Sequence, residues 1–187
     1  MTGKTSANHR DFKGNGTFSL TAAPPWGSNP AWQEANRSFD IHIDHYRVEL
    51  EPARIIAREI RFRLTLIFPL LNALCLSTCR YCPETCCQTA SPWYDFRDLL
   101  FLHLNLLEIP LFQPIHAYRD TCRFLSPRGC TLSRITRPWI CTWYICPTQT
   151  ANLKQRKRRQ WERLNQTVTA IKKGRELMEA EYIRVIS

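Results

Sequence analysis

Phe39-Asp-Ile-His-Ile-Asp-His-Tyr-Arg-Val-Glu-Leu50 and, further on, Ile60-Arg-Phe-Arg-Leu-Thr-Leu66 are the two stretches on which the fold turns. In the first, Phe39, Ile41 and Ile43 alternate with Asp40, His42 and Asp44, and after a slip of phase Tyr46, Val48 and Leu50 carry the alternation on. A period of two marks a strand with one buried face, and a slip of phase marks a bulge. In the second stretch Ile60, Phe62, Leu64 and Leu66 alternate with Arg61, Arg63 and Thr65, which predicts a second strand. Pro52 is expected to end the first element, with residues 51–59 joining the two as an antiparallel pair.

Working outward, residues 1–38 are polar, with Pro24-Pro25 and Pro30 set between Trp26 and Trp32. They predict an extended arm whose tryptophans dock on the core or on a partner. Residues 39–150 form a Cys-rich core. Residues 75–96 lack periodicity, Asp95–Glu108 predict a helix capped by Asp95 and stopped by Pro110, and Ile115–Leu125 predict another short helix. Residues 151–187 change character, with no Cys, no Pro and many charges. Leu153, Trp161, Leu164, Val168 and Ile171 share a helical face there, with Gly174 an expected interruption. The fold class expected is mixed α/β (α+β): a small antiparallel sheet, short helices, a Cys-rich zinc region and a basic carboxyl-terminal helix.

The 187 residues suffice for one domain with tails, and 44% hydrophobic content allows a core. Arg supplies 20 of the 26 basic residues in a chain of net charge +10. That bias favours bidentate contact with phosphate or carboxylate and attracts RNA. Met1 is followed by Thr-Gly-Lys-Thr rather than an apolar leader, so metal ligation or burial of the nine Cys is expected before disulfides. The apolar run Leu64–Leu76, broken by Pro69 and Asn72, falls short of the ~20 residues that span a bilayer, so no integral membrane segment is expected.

Cys79-Arg-Tyr-Cys82 has the gap that lets two thiolates reach one tetrahedral ion, and Cys82 to Cys86 is also workable. Cys122, Cys130, His103 or His116 would complete such a site. No Gly-rich phosphate loop, nucleophile elbow or metalloprotease His-Glu pair is present, and no enzymatic activity is expected. Lys154-Gln-Arg156-Lys157-Arg158-Arg159, with Trp161 close behind, is the strongest basic run. Its cations suit RNA phosphates and its Trp suits base stacking. The same run also reads as a charged helix face or a nuclear import address.

Ser126-Pro-Arg128, leading into Thr131-Leu132-Ser133-Arg134-Ile135, resembles the Pro-Arg turn and elongin-binding helix of lentiviral virion infectivity factors, most of all the bovine type. Arg80-Tyr81-Cys82, Pro92-Trp93-Tyr94-Asp95-Phe96, Leu104-Asn105-Leu106 and Trp143-Tyr144 follow the same order, so the likeness covers about residues 24–146. The departures are Pro138 inside the box, Thr136 and Ser133 at box positions, and no His between Cys79 and Cys87. The resemblance implies a viral adaptor that recruits host elongin B/C and a cullin to an APOBEC-type cytidine deaminase. It implies an elongin C box of Thr131, Leu132, Ile135, Thr136 and Ile140 on one helical face, and zinc on Cys82, Cys86, Cys87 and Cys122. It also implies RNA binding, and location in host cytoplasm with virion or nucleus as further sites.

Overall fold

In the computed structural model the described residues are 24–82, 86–118, 120–127 and 129–187. They fold mainly as helices: α1 (Asn29–His45), α2 (Glu51–Thr78), α3 (Cys86–Thr89), α4 (Phe96–Leu104), α5 (Trp139–Trp143), α6 (Pro147–Arg156) and α7 (Arg158–Ile186). The sheet is one antiparallel pair, β1 (Leu125–Ser126) with β2 (Gly129–Cys130), and it lies far along the chain from the stretch expected to hold it. Gly129, at φ +105°, closes the turn in a conformation that side-chain-bearing residues avoid.

The second alternating stretch is helical, as is the first up to His45, with turns over residues 46–50, and the reason is in their longer spacing. Trp32, Phe39 and Ile43 recur every seven and four residues, and these bury while Ile41 stays exposed. The expected extended arm is therefore helix from Asn29, capped by the Ser28 hydroxyl, and residues 1–23 lie outside the described ones. Pro52 opens α2 instead of ending a strand, because a first-turn proline gives up an N–H that has no helical partner anyway. Ala53, Ala57, Ile60, Leu64, Ile67, Leu71 and Leu74 then form one unbroken buried stripe at alternating steps of four and three. Apolar residues on the opposite face, Phe62 and Leu66, had supplied the apparent period of two.

α4 begins as expected: Asp95 accepts from the Asp98 amide at 2.7 Å, and Asp98 returns a bond to the Asp95 amide. It ends at Leu104 without help from Pro110. The Leu107 amide bonds to the Leu102 carbonyl and Leu106 to that of His103, with Leu106 left-handed at φ 52°. That is a helix-terminating motif in which glycine usually takes the left-handed place. The expected helix over Ile115–Leu125 is absent: those described residues form turns and the first residue of β1, with Ile115 buried.

The carboxyl-terminal residues are integral to the core. Leu153, Leu164 and Ile171 are buried, and Trp161 and Val168 pack against them. The chain bends at Lys157, between α6 and α7. Gly174 does not interrupt α7; a side chain there would meet Ile60 at 3.1 Å, so glycine lets α7 approach α2 closely. An aromatic cluster ties three helices together, with Phe39 of α1 at 5.1 Å from Phe96 of α4 and 5.8 Å from Tyr182 of α7. Trp32, expected to dock, does so by donating its ring N–H to the Pro110 carbonyl at 2.9 Å.

Candidate functional site

The basic run lies where α6 meets α7. Lys154, Lys157, Arg158 and Arg159 are exposed, and the Arg156 side chain lies outside the described ones. Arg158 pairs with Glu162 one turn along at 2.9 Å. Trp161 is half-buried against the core, and the Lys154 ammonium stands over its ring at 5.4 Å. The structure thus brings together a cationic surface, while Trp161 is held by packing and by the cation–π contact rather than presented freely for stacking.

The expected elongin box is not one helix. Thr131 and Leu132 precede a single tight-helix turn, Arg134–Thr136, and Ile140 lies on α5, beyond the break at Pro138. The proline ring blocks helix continuation, so Leu132, Thr136 and Ile140 do not line up along one face. Thr136 is buried, and its carbonyl accepts from the Tyr94 hydroxyl at 2.6 Å. The Arg137 guanidinium folds back to the Leu132 carbonyl at 3.1 Å. Leu132 and Ile135 pack partly on the core, and Ile140 is half-exposed.

Cys82 is exposed past the end of α2, while Cys86 and Cys87 sit on α3. Among the described residues no three His, Cys, Asp or Glu side chains stand as a metal-holding group, and no cysteine is in a disulfide. The Cys86 thiol donates to Cys87, which with the nearby Arg137 holds the Cys87 thiol down to about 6 against the effect of burial. The same bond, followed by burial, pushes Cys86 up. Burial also raises Cys122. Cys79 and Cys75 are engaged elsewhere: Gln149 of α6 reaches Cys79 sulfur at 3.7 Å, and Arg134 reaches Cys75 sulfur at 3.6 Å.

The most developed polar cluster was not foreseen. Arg175 is buried on α7 and donates to Asp98 at 2.7 Å and to both oxygens of Asp95 at 2.8 and 3.0 Å. Asp98 also accepts from the Trp139 amide at 3.1 Å, and the guanidinium lies 5.5 Å from the Trp139 ring. Burial lifts the Asp98 carboxyl to about 6 although Arg175 opposes the rise. The signal was in the sequence. Leu164, Val168, Ile171, Arg175, Met178 and Tyr182 step by four and three, so an arginine at a core position demanded a buried anion.

A second unforeseen network ties α4 to α1. His103 lies between Asp40 and Asn36, at 2.9 Å from each, and Asn36 donates to the Trp32 carbonyl at 2.8 Å. Desolvation lowers the His103 pKa, with Asp40 opposing. Both clusters cross-link elements of the core, which is a structural task. An open groove of about 410 Å³ is lined by Trp26, Phe39, Phe96, Tyr182 and Ile186, with Glu34 and His42 also on its wall.

Among the described residues one helix, α2, is long and apolar enough to cross a membrane by length and composition, and its inner stripe packs the core. No family model matches the chain, and neither the curated proteins nor the solved structures provide a match.

Proposed function

We propose that this chain is a basic RNA-binding protein that acts by binding and not by catalysis, with the junction of α6 and α7 as its contact surface. The observation that supports it is the exposure of Lys154, Lys157, Arg158 and Arg159 at one bend between helices, in a chain of net charge +10. Clustered cations release counterions when they meet phosphates, so affinity falls steeply with salt. Because Trp161 is packed and covered by Lys154, phosphate contact dominates and sequence preference is weak. Filter binding of a single-stranded RNA across a salt series tests this. The proposal fails if binding survives high salt or if Arg158→Ala with Arg159→Ala leaves it unchanged.

A second reading follows the resemblance to lentiviral infectivity factors: an adaptor joining elongin B/C and a cullin to an APOBEC-type deaminase in host cytoplasm, virion or nucleus. What favours it is that Leu132, just before the turn at Arg134–Thr136, and Ile140, on α5, are each half-exposed. Elongin C would then accept two turns around Pro138 in place of a continuous helix. Zinc on Cys82, Cys86, Cys87 and Cys122 belongs to this reading and requires those thiols to converge on the ion. Co-expression with elongin B/C, followed by measurement of co-purified elongin C and zinc, separates the two readings. Leu132→Asp abolishes co-purification if the adaptor reading holds; unchanged recovery removes it.

A further inference from the structure

The outer face of α2 carries a second apolar stripe that the core does not use. Phe62, Leu66, Pro69, Ala73 and Leu76 follow one another at steps of four and three, directly opposite the buried stripe of Leu64, Ile67, Leu71 and Leu74. Phe62 is 58% exposed, Leu66 61% and Leu76 75%, values that scattered surface leucines reach singly but rarely in a row. From Leu64 to Thr78 there is no charged residue. The polar groups on this stretch are answered locally: Thr65 donates to the Phe62 carbonyl at 2.7 Å, Ser77 to that of Leu74 at 3.1 Å, and Asn72 accepts from Arg134 at 2.7 Å. The band therefore asks for an apolar partner and offers it little hydrogen bonding.

Its amino-terminal end is bounded differently. Arg58 stands one turn before Phe62 on the same face, and Arg61 and Arg63 flank Phe62 on either side. Arg58 and Arg63 are steadied by Glu51 at 2.6 Å and Glu59 at 2.8 Å. Long arginine stems lie along apolar surface while their guanidinium groups reach polar headgroups. An apolar band flanked by arginines, on a chain of net charge +10, matches a surface that is greasy just beneath an anionic layer. A second copy of this chain fits less well, since each brings the same net positive charge to the contact.

We propose that the outer face of α2 docks on an anionic lipid bilayer, lying in its surface with Phe62, Leu66 and Leu76 at the boundary between headgroups and acyl chains. The inner stripe stays in the protein core, so α2 rests on the bilayer and does not span it. The RNA-contact junction is made by other helices, so this surface stands or falls separately from the function proposed above.

The test is flotation of the full chain with vesicles of phosphatidylcholine alone or with about a third phosphatidylserine, at about 0.1 M salt. The protein is expected to float with the anionic vesicles and to remain behind with the neutral ones. Leu66→Ser combined with Leu76→Ser is expected to lower the bound fraction by about tenfold or more. Its melting curve should match that of the unaltered chain, because neither side chain enters the core; Ala73→Glu serves as an independent variant with the same expectation. Failure to float, or flotation unaltered by either variant, overturns the proposal. So does loss of flotation on Arg158→Ala with Arg159→Ala alone while the leucine variant still binds. A dimer in light scattering that both α2 variants convert to monomer would also overturn it, by showing that a second copy covers the stripe.

Discussion

Arginine has opposite surroundings at the start of α7 and in its middle. At the start of the helix, Arg158 and Arg159 stand in water, with Arg158 loosely matched to Glu162. Deeper along the helix, Arg175 is desolvated and held by Asp95, Asp98 and the face of Trp139. An exposed arginine adds little to stability and keeps its charge available to phosphate, whereas a buried one has no slack. The contrast shows how a chain rich in one residue type divides it between architecture and contact, and that burial makes the division.

Removing the buried cation should give the largest effect. Arg175→Ala leaves Asp98 desolvated without its partner and is expected to cost about 3–5 kcal/mol in denaturant unfolding. Arg158→Ala with Arg159→Ala is expected to stay within about 0.5 kcal/mol of the parent. Similar losses for the two variants would erase the distinction.

Next comes pH. Asp98 has a folded pKa of about 6, above the ordinary carboxyl value of 3.8, so the folded state holds a proton that the unfolded state gives up. Its contribution is fully present below the unfolded value and is lost as pH rises through about 6. Relative to Asp98→Asn, the parent should therefore gain roughly 2 kcal/mol as pH falls from about 6 to about 4. A difference that does not vary across that window would mean that Arg175 dominates burial and keeps the carboxylate ionised.

At the exposed end of α7 the effect is on binding. Loss of two phosphate contacts in Arg158→Ala with Arg159→Ala should flatten the plot of log affinity against log salt by about 1.4 for single-stranded RNA. An unchanged slope would mean that these arginines are merely solvated.

The smallest effect expected has the opposite sign. Leu106 adopts a left-handed conformation at the end of α4 while its side chain is 84% exposed. Leu106→Gly removes the strain without opening a cavity and is expected to raise stability by about 1 kcal/mol, read from the unfolding midpoint. A loss instead would show that the leucine is seated better than its exposure implies.

Local chemistry was legible from the chain alone. The Asp95 cap could be read because its partners lie within one turn, and the face of Leu164, Val168 and Ile171 on α7 because its period repeats along one helix; Leu153, read on the same face, lies on α6 beyond the bend at Lys157. The stretch from Ile60 to Leu66 was misread for an equally physical reason. α2 is apolar on two opposite faces, so its steps of three and four overlay an apparent step of two, and a short window cannot separate them. The box over Leu132–Ile140 carried its own contradiction in Pro138, which stands at the start of α5 and parts it from the turn before, although α2 carries Pro69 in its interior without ending. The Arg175 cluster could have been anticipated as a need for a buried anion, but not as a pairing with Asp95 and Asp98.

The amino-acid sequence by itself determined the net positive charge, the basic run at Lys154–Arg159 and the capped start of α4, since each depends on residue type or on neighbours within a turn. Tertiary structure alone decided which stripe of α2 faces inward, that α7 is part of the core, and which arginine is buried against which carboxylates. Those outcomes depend on contacts between residues far apart in the chain, and local spacing carries no information about which of two apolar faces finds a partner.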